Sequence, residues 1–154
     1  MRKALLLLTA LGFAGSLWAA DPIIGTWKLN LAESKNLSGL GVTIQMEIYR
    51  EVEDENIELA ISGARADGSP LSYVIVFPRQ GGQVRYPQAV EEGRSEVETL
   101  IGPGNWMVTW MQNGKQVLLR NKLVSKDGKK MVQILKGVNA EGKLFEAIVV
   151  YDKQ

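Results

Sequence analysis

The chain has 154 residues, 18 basic and 17 acidic, with no cysteine and no histidine. Without cysteine there is no disulfide framework and no thiolate metal site, and without histidine there is neither the commonest general base nor the commonest zinc ligand. Nucleophile–histidine catalysis is excluded, and the near-neutral charge argues against a nucleic-acid partner.

Residues 1–20 read as a cleavable signal peptide. Met1-Arg2-Lys3 is a short positive start, Ala4 to Ala14 an apolar run, and Gly15 to Ala20 a small-residue end with cleavage after Ala19 or Ala20. The run is short for a membrane span, which needs roughly 20 residues. The expected localisation is therefore export, to the periplasm or the extracellular space. Removing Arg2 and Lys3 from the 18 basic residues leaves 16 against 17 acidic, a net charge near −1. Residues 21–154 are long enough for one domain.

The first element after the signal is Gly25 to Leu29, where Trp27, Leu29 and Leu31 alternate with Lys28 and Asn30, the period of a half-buried strand. Gly25 leaves room for close backbone approach. Ala32 to Gly41 is a polar connector with space for one helical turn. Val42 to Glu51 alternates Val42, Ile44, Met46 and Ile48 against Thr43, Gln45, Glu47 and Tyr49. The acidic Glu51-Val52-Glu53-Asp54-Glu55 is a solvated turn without the ligand spacing of a calcium loop. Asn56 to Gly63 places Ile57, Leu59 and Ile61 on one face. Ala66-Asp67-Gly68-Ser69-Pro70 turns the chain into Leu71 to Phe77, which is apolar on both faces at its end.

Gly81-Gly82 leads to a short strand at Gln83 to Tyr86. Ser95 to Ile101 is expected with Glu96 and Glu98 outward. Gly102-Pro103-Gly104 breaks the chain before Asn105 to Gln112, in which Trp106, Trp110, Met107 and Met111 make both faces apolar. Asn113-Gly114 is a strong hairpin signal into Gln116 to Val124. There Val117, Leu119, Asn121 and Leu123 are expected inward, and Leu118, Arg120, Lys122 and Val124 outward. Asp127-Gly128 and Glu141-Gly142 connect Lys129 to Val138 and Lys143 to Tyr151. In the last strand Phe145, Ala147, Val149 and Tyr151 share the inward face.

About ten strands joined by short turns, with no helix beyond the signal, predict an all-β fold: an antiparallel up-and-down meander barrel whose last strand meets the first. Charge on the faces of Lys28/Asn30, Gln45/Glu47, Glu96/Glu98 and Arg120/Lys122 argues against a membrane-embedded barrel. No catalytic, metal or phosphate motif appears, and no cofactor is expected.

Gly25-Thr26-Trp27-Lys28-Leu29 resembles the opening strand of calycin barrels, the lipocalins and fatty-acid-binding proteins. Val149-Val150-Tyr151-Asp152-Lys153 is similar to the last strand of the fatty-acid-binding branch. Together the two ends resemble small exported bacterial lipocalin-like proteins. The resemblance implies a barrel with an interior ligand site. Fatty-acid-binding proteins hold a carboxylate with an Arg-x-Tyr pair on the last strand and a second arginine on an earlier one. Here Tyr151 matches the tyrosine, Val149 replaces the arginine, and Arg120 is the one candidate helper. The connector after the first strand is too short for that branch's two-helix lid.

The leading expectation is a non-catalytic binding protein holding a small apolar or weakly polar molecule, with Trp27, Trp106, Trp110, Phe145, Val149 and Tyr151 lining or closing the space. Two alternatives stand beside it. A barrel filled by its own side chains would serve as an interaction module of the cell envelope. A cofactor-free isomerase or cyclase would require a buried polar pair.

Overall fold

The structure, a computed structural model, describes residues 20–139 and 141–154. All but the last residue of the expected signal peptide, 1–20, lie outside the described residues. Ten antiparallel strands form one sheet: β1 (Gly25–Leu29), β2 (Val42–Val52), β3 (Asn56–Arg65), β4 (Pro70–Pro78), β5 (Gly82–Gln83), β6 (Arg94–Gly102), β7 (Asn105–Gln112), β8 (Lys115–Val124), β9 (Lys130–Val138) and β10 (Leu144–Lys153). Their order is β4-β3-β2-β1-β10-β9-β8-β7-β6-β5, so the first and last strands pair, with Trp27 opposite Lys153 and Leu29 opposite Tyr151. The helical element found among the described residues is one 3-10 turn, Leu37–Leu40, which packs against β10.

The wall closes by a seam between β4 and the segment after β5. Val76 and Arg85 exchange backbone hydrogen bonds of 2.9 and 2.8 Å. Beyond them the Gln88 side chain takes the place of a strand: its Oε1 accepts from the Val74 N–H at 3.2 Å and its Nε2 donates to the Val74 carbonyl at 2.9 Å. An amide carries one acceptor and two donors, so it can satisfy an edge residue as a backbone would.

Turn chemistry places the hairpins. Asn113 and Gly114 have φ of 50° and 74°, the left-handed pair that a two-residue hairpin requires. Gly25 is required by its backbone, at φ 139°, which L side chains rarely adopt; a Cβ there would also meet the flexible end of Lys153, Cε at 2.6 Å. Lys153 lies with its Nζ 5.1 Å from the centre of the Trp27 ring, and the Trp27 indole donates to the Ile23 carbonyl at 2.7 Å.

Three strands face differently from the expectation. On β2 a bulge at Gln45 takes the pairing from Ile44–Gly63 to Met46–Ser62. The extra residue switches the alternation, so Ile44 packs on the core but Glu47 and Tyr49 then point inward, and Met46 and Ile48 outward. On β6, Glu96 and Glu98 are buried, not outward. On β8, Leu118, Arg120 and Lys122 face inward, and Leu119, Asn121 and Leu123 face out. The register gives the reason: Trp106 stands opposite Lys122 and Leu100, and Trp110 opposite Leu118 and Glu96. Directly opposed residues share a face of the sheet, so the tryptophans carry these side chains inward with them.

Five charges expected on the outer wall are thus inside. The outer wall instead carries cross-strand ion pairs, Arg50–Glu58 at 3.7 Å and Lys136–Glu146 at 2.9 Å, which would be costly in hydrocarbon. No helix among the described residues is long and apolar enough to cross a membrane.

Candidate functional site

The two ends of the barrel interior are built differently. At one end Trp27, Trp106, Phe77, Ile57 and Met131 are fully buried, with Phe77 edge-on to Trp106 at 5.4 Å. Lys122 and Glu98 lie among them. The Lys122 ammonium donates to both Glu98 oxygens, at 2.8 and 3.0 Å, and sits 5.2 and 5.6 Å from the Tyr49 and Phe77 ring centres. Burial pushes the Glu98 carboxyl up, and Lys122 holds part of that shift back. This end is filled by the chain itself.

The other end holds a cavity of about 390 Å³, entered beneath the 3-10 turn. Its lining is mostly apolar, with Leu37, Leu40, Ile44, Leu135, Phe145 and Val149 among its residues. Trp110 forms part of the wall, and its polar groups come from Glu47, Arg120, Gln133 and Tyr151 together with Ser38, Thr43, Asn139 and Glu141. The 3-10 turn covers the mouth because Asn36 and Gly41, at φ 58° and 65°, turn the chain on either side of it.

Glu47 is the centre of the polar group. Its Oε2 accepts from the Tyr49 hydroxyl at 2.7 Å and from Gln133 Nε2 at 2.8 Å. Its Oε1 lies 3.9 Å from Arg120 Nη1, an ion pair too long for a hydrogen bond. Burial pulls the Arg120 guanidinium down, but Glu47, Tyr73 and Glu96 outweigh it, and the group ends above its ordinary value. Tyr151 donates to the Ile44 carbonyl at 3.2 Å, and burial followed by Glu47 raises its phenol well above the usual range. A third pair stands nearby. Arg94 Nη2 is 3.3 Å from Glu96, its guanidinium lies 4.3 Å from the centre of the Trp110 ring, and the Tyr86 hydroxyl donates to Glu96 at 2.7 Å.

Of the six residues expected to line or close a ligand space, Trp110, Phe145, Val149 and Tyr151 border the cavity. Trp27 and Trp106 belong to the filled end. Sequence reasoning missed Glu47, Arg120 and Gln133 as lining groups. Alternation does not point to them: the bulge at Gln45 turns Glu47 inward, and a bulge at Val117, after Met111 has paired with Gln116, sets Trp110 opposite Leu118 and turns Arg120 inward. No group of acidic residues among the described residues has the arrangement of a metal site.

A barrel of ten antiparallel strands whose first and last members pair, with a cavity under a short cap, is a calycin-like β-barrel. Solved structures share the fold at low identity. The crystal structure of the wild-type fluorescent protein UnaG is 16% identical, covering 86% of this chain and 97% of that one, with a TM-score of 0.57. Crystal structures of two UnaG point mutants are 16% and 14% identical, with TM-scores of 0.60 and 0.56, each covering 86% of this chain and 96% of theirs. No family model matches the chain, and no curated protein matches it.

Proposed function

We propose that this chain is an exported, lipocalin-like binding protein that holds a small, largely apolar molecule in the open end of its barrel without transforming it. The cavity of about 390 Å³ carries this reading. It falls in the 300–1,000 Å³ range of ligand sites and has their composition, apolar walls with a few convergent polar groups. A barrel serving only as a self-filled module would have closed this end as it closes the other. Catalysis is disfavoured by the two perturbed groups that line the cavity. Tyr151 and Arg120 are both shifted upward from values already well above neutral, away from what a general acid or base needs at neutral pH. Export rests on the residues of segment 1–20 and on the resemblance of the two chain ends to exported bacterial lipocalin-like proteins.

The test is a titration of the mature protein with an apolar fluorescent probe, read by tryptophan emission, together with native mass spectrometry of protein recovered from the periplasm. Saturable quenching, a bound mass and an amino terminus processed near Ala20 are expected. Unchanged emission with every probe and no bound mass would overturn the binding reading. Recovery of the unprocessed chain from the cytosol would overturn export.

A further inference from the structure

The charges inside the barrel balance one for one. Glu98 has Lys122 at 2.8 Å, Glu96 has Arg94 at 3.3 Å, and Glu47 has Arg120 at 3.9 Å. The loosest of the three pairs is the one that borders the cavity. Glu47 Oε1, Arg120 Nε and Trp110 Nε1 are all buried and have no hydrogen-bond partner among the described residues. All three belong to residues lining the cavity. Buried polar atoms are nearly always paired; Arg94 Nε, Trp106 Nε1 and Gln112 Oε1 are likewise without a partner among the described residues, but they do not belong to the cavity lining.

Their chemistry is mixed. Arg120 Nε and Trp110 Nε1 can only donate, whereas an ionised Glu47 can only accept. An anionic head group could accept from the donors, but it would stand beside the Glu47 carboxylate, whose other oxygen is already fixed by Tyr49 and Gln133. Like charges in a desolvated space repel, and among the described residues Arg120 is the one cation in the cavity lining. A head group with one acceptor and one N–H or O–H donor satisfies both sides.

Resting on the binding reading above, we propose that the cavity takes an apolar molecule whose head is neutral and both accepts and donates hydrogen bonds, as a carboxamide does. Glu47 is then the residue that excludes the matching carboxylate. The presence of Arg120 alone would suggest the opposite preference, for an anion; Glu47 cancels it.

The experiment compares matched alkyl chains ending in a carboxamide, a carboxylate or a methyl ester, by displacement of an apolar probe at pH 7.5. The wild type is expected to bind the carboxamide about tenfold or more tighter than the carboxylate, with the ester, which accepts but does not donate, in between. Glu47→Gln leaves Arg120 uncompensated and is expected to reverse the order, the carboxylate gaining about tenfold. The double variant Glu47→Gln/Arg120→Met guards against loss of fold in the single one and should again favour the carboxamide, because a buried carboxylate without a cationic partner is costly. Equal binding of all three heads by the wild type, or tightest binding of the carboxylate, would overturn this proposal while leaving the binding reading intact. A bound probe that none of the three chains displaces would overturn it equally. Failure of the probe itself to bind would remove both.

Discussion

Lys122 Nζ lies 2.8 and 3.0 Å from the two oxygens of Glu98, and both side chains are sealed within the filled end of the barrel. Removing one partner strands the other in a dry interior. Lys122→Met is expected to cost about 3–5 kcal/mol, and Lys122→Met/Glu98→Met to recover most of it, because an apolar pair of similar volume needs no desolvation. Urea unfolding of the two variants beside the wild type checks this. Equal loss in both would show that shape, not charge, dominates there.

The chain's four tyrosines, Tyr49, Tyr73, Tyr86 and Tyr151, are all raised above the ordinary phenol value, with burial as the largest cause in each. In the unfolded chain they ionise near pH 10. The folded state therefore holds its phenol protons to higher pH than the unfolded state does. The stability these groups contribute is complete below about pH 10 and is lost as pH rises beyond it. Tyrosinate absorbance should stay flat through pH 10 and appear in one step with alkaline unfolding. A separate folded-state titration near pH 10 would contradict the buried placement.

Val149 is buried, borders the cavity and stands between Ala147 and Tyr151 on the inward face of β10. Val149→Phe is expected to occupy cavity space. Stability should fall by less than about 1.5 kcal/mol, since the added volume has somewhere to go. Probe affinity should fall by about tenfold or more. Thermal unfolding and the fluorescence titration separate the two effects.

The Gln88 amide is the last fastening of the seam. Gln88→Ala frees the Val74 N–H and carbonyl, at a cost of about 1 kcal/mol. Hydrogen exchange should quicken at Val74 and leave β8, β9 and β10 unchanged. Quickening spread over the whole sheet would mean that the seam has no independent motion.

Strand positions and order were legible because turn chemistry is local: Asp67-Gly68, Asn113-Gly114 and Asp127-Gly128 mark hairpins on their own. The pairing of Trp27's strand with the last followed from the need to protect edges. The facing of β2, β6 and β8 was not legible by polarity, because this interior is partly built from ion pairs, and assigning charge outward inverts it. On β2 the bulge at Gln45 adds a shift that no alternation displays. On β8 a second bulge, at Val117, does the same. Continued from the Asn113-Gly114 turn, the pairing of Gln112 with Lys115 and Met111 with Gln116 would set Trp106 opposite Asn121; the extra residue at Val117 moves it to Lys122, and a one-residue slip turns every side chain over. The cavity's polar groups were hidden by the same inversion.

Pairing of β1 with β10 places Lys153 Nζ 3.2 Å from the Pro22 carbonyl and lets the Gln154 N–H reach the Thr26 carbonyl at 3.0 Å. For the sheet, then, the natural beginning is β5 and the natural end β4. A circular permutant that joins Gln154 to Asp21 through a short linker and opens between Arg79 and Gly81 would run through the strands in spatial order. Every ladder would become a hairpin between sequence neighbours, and such a chain should fold faster than the original while keeping the same cavity.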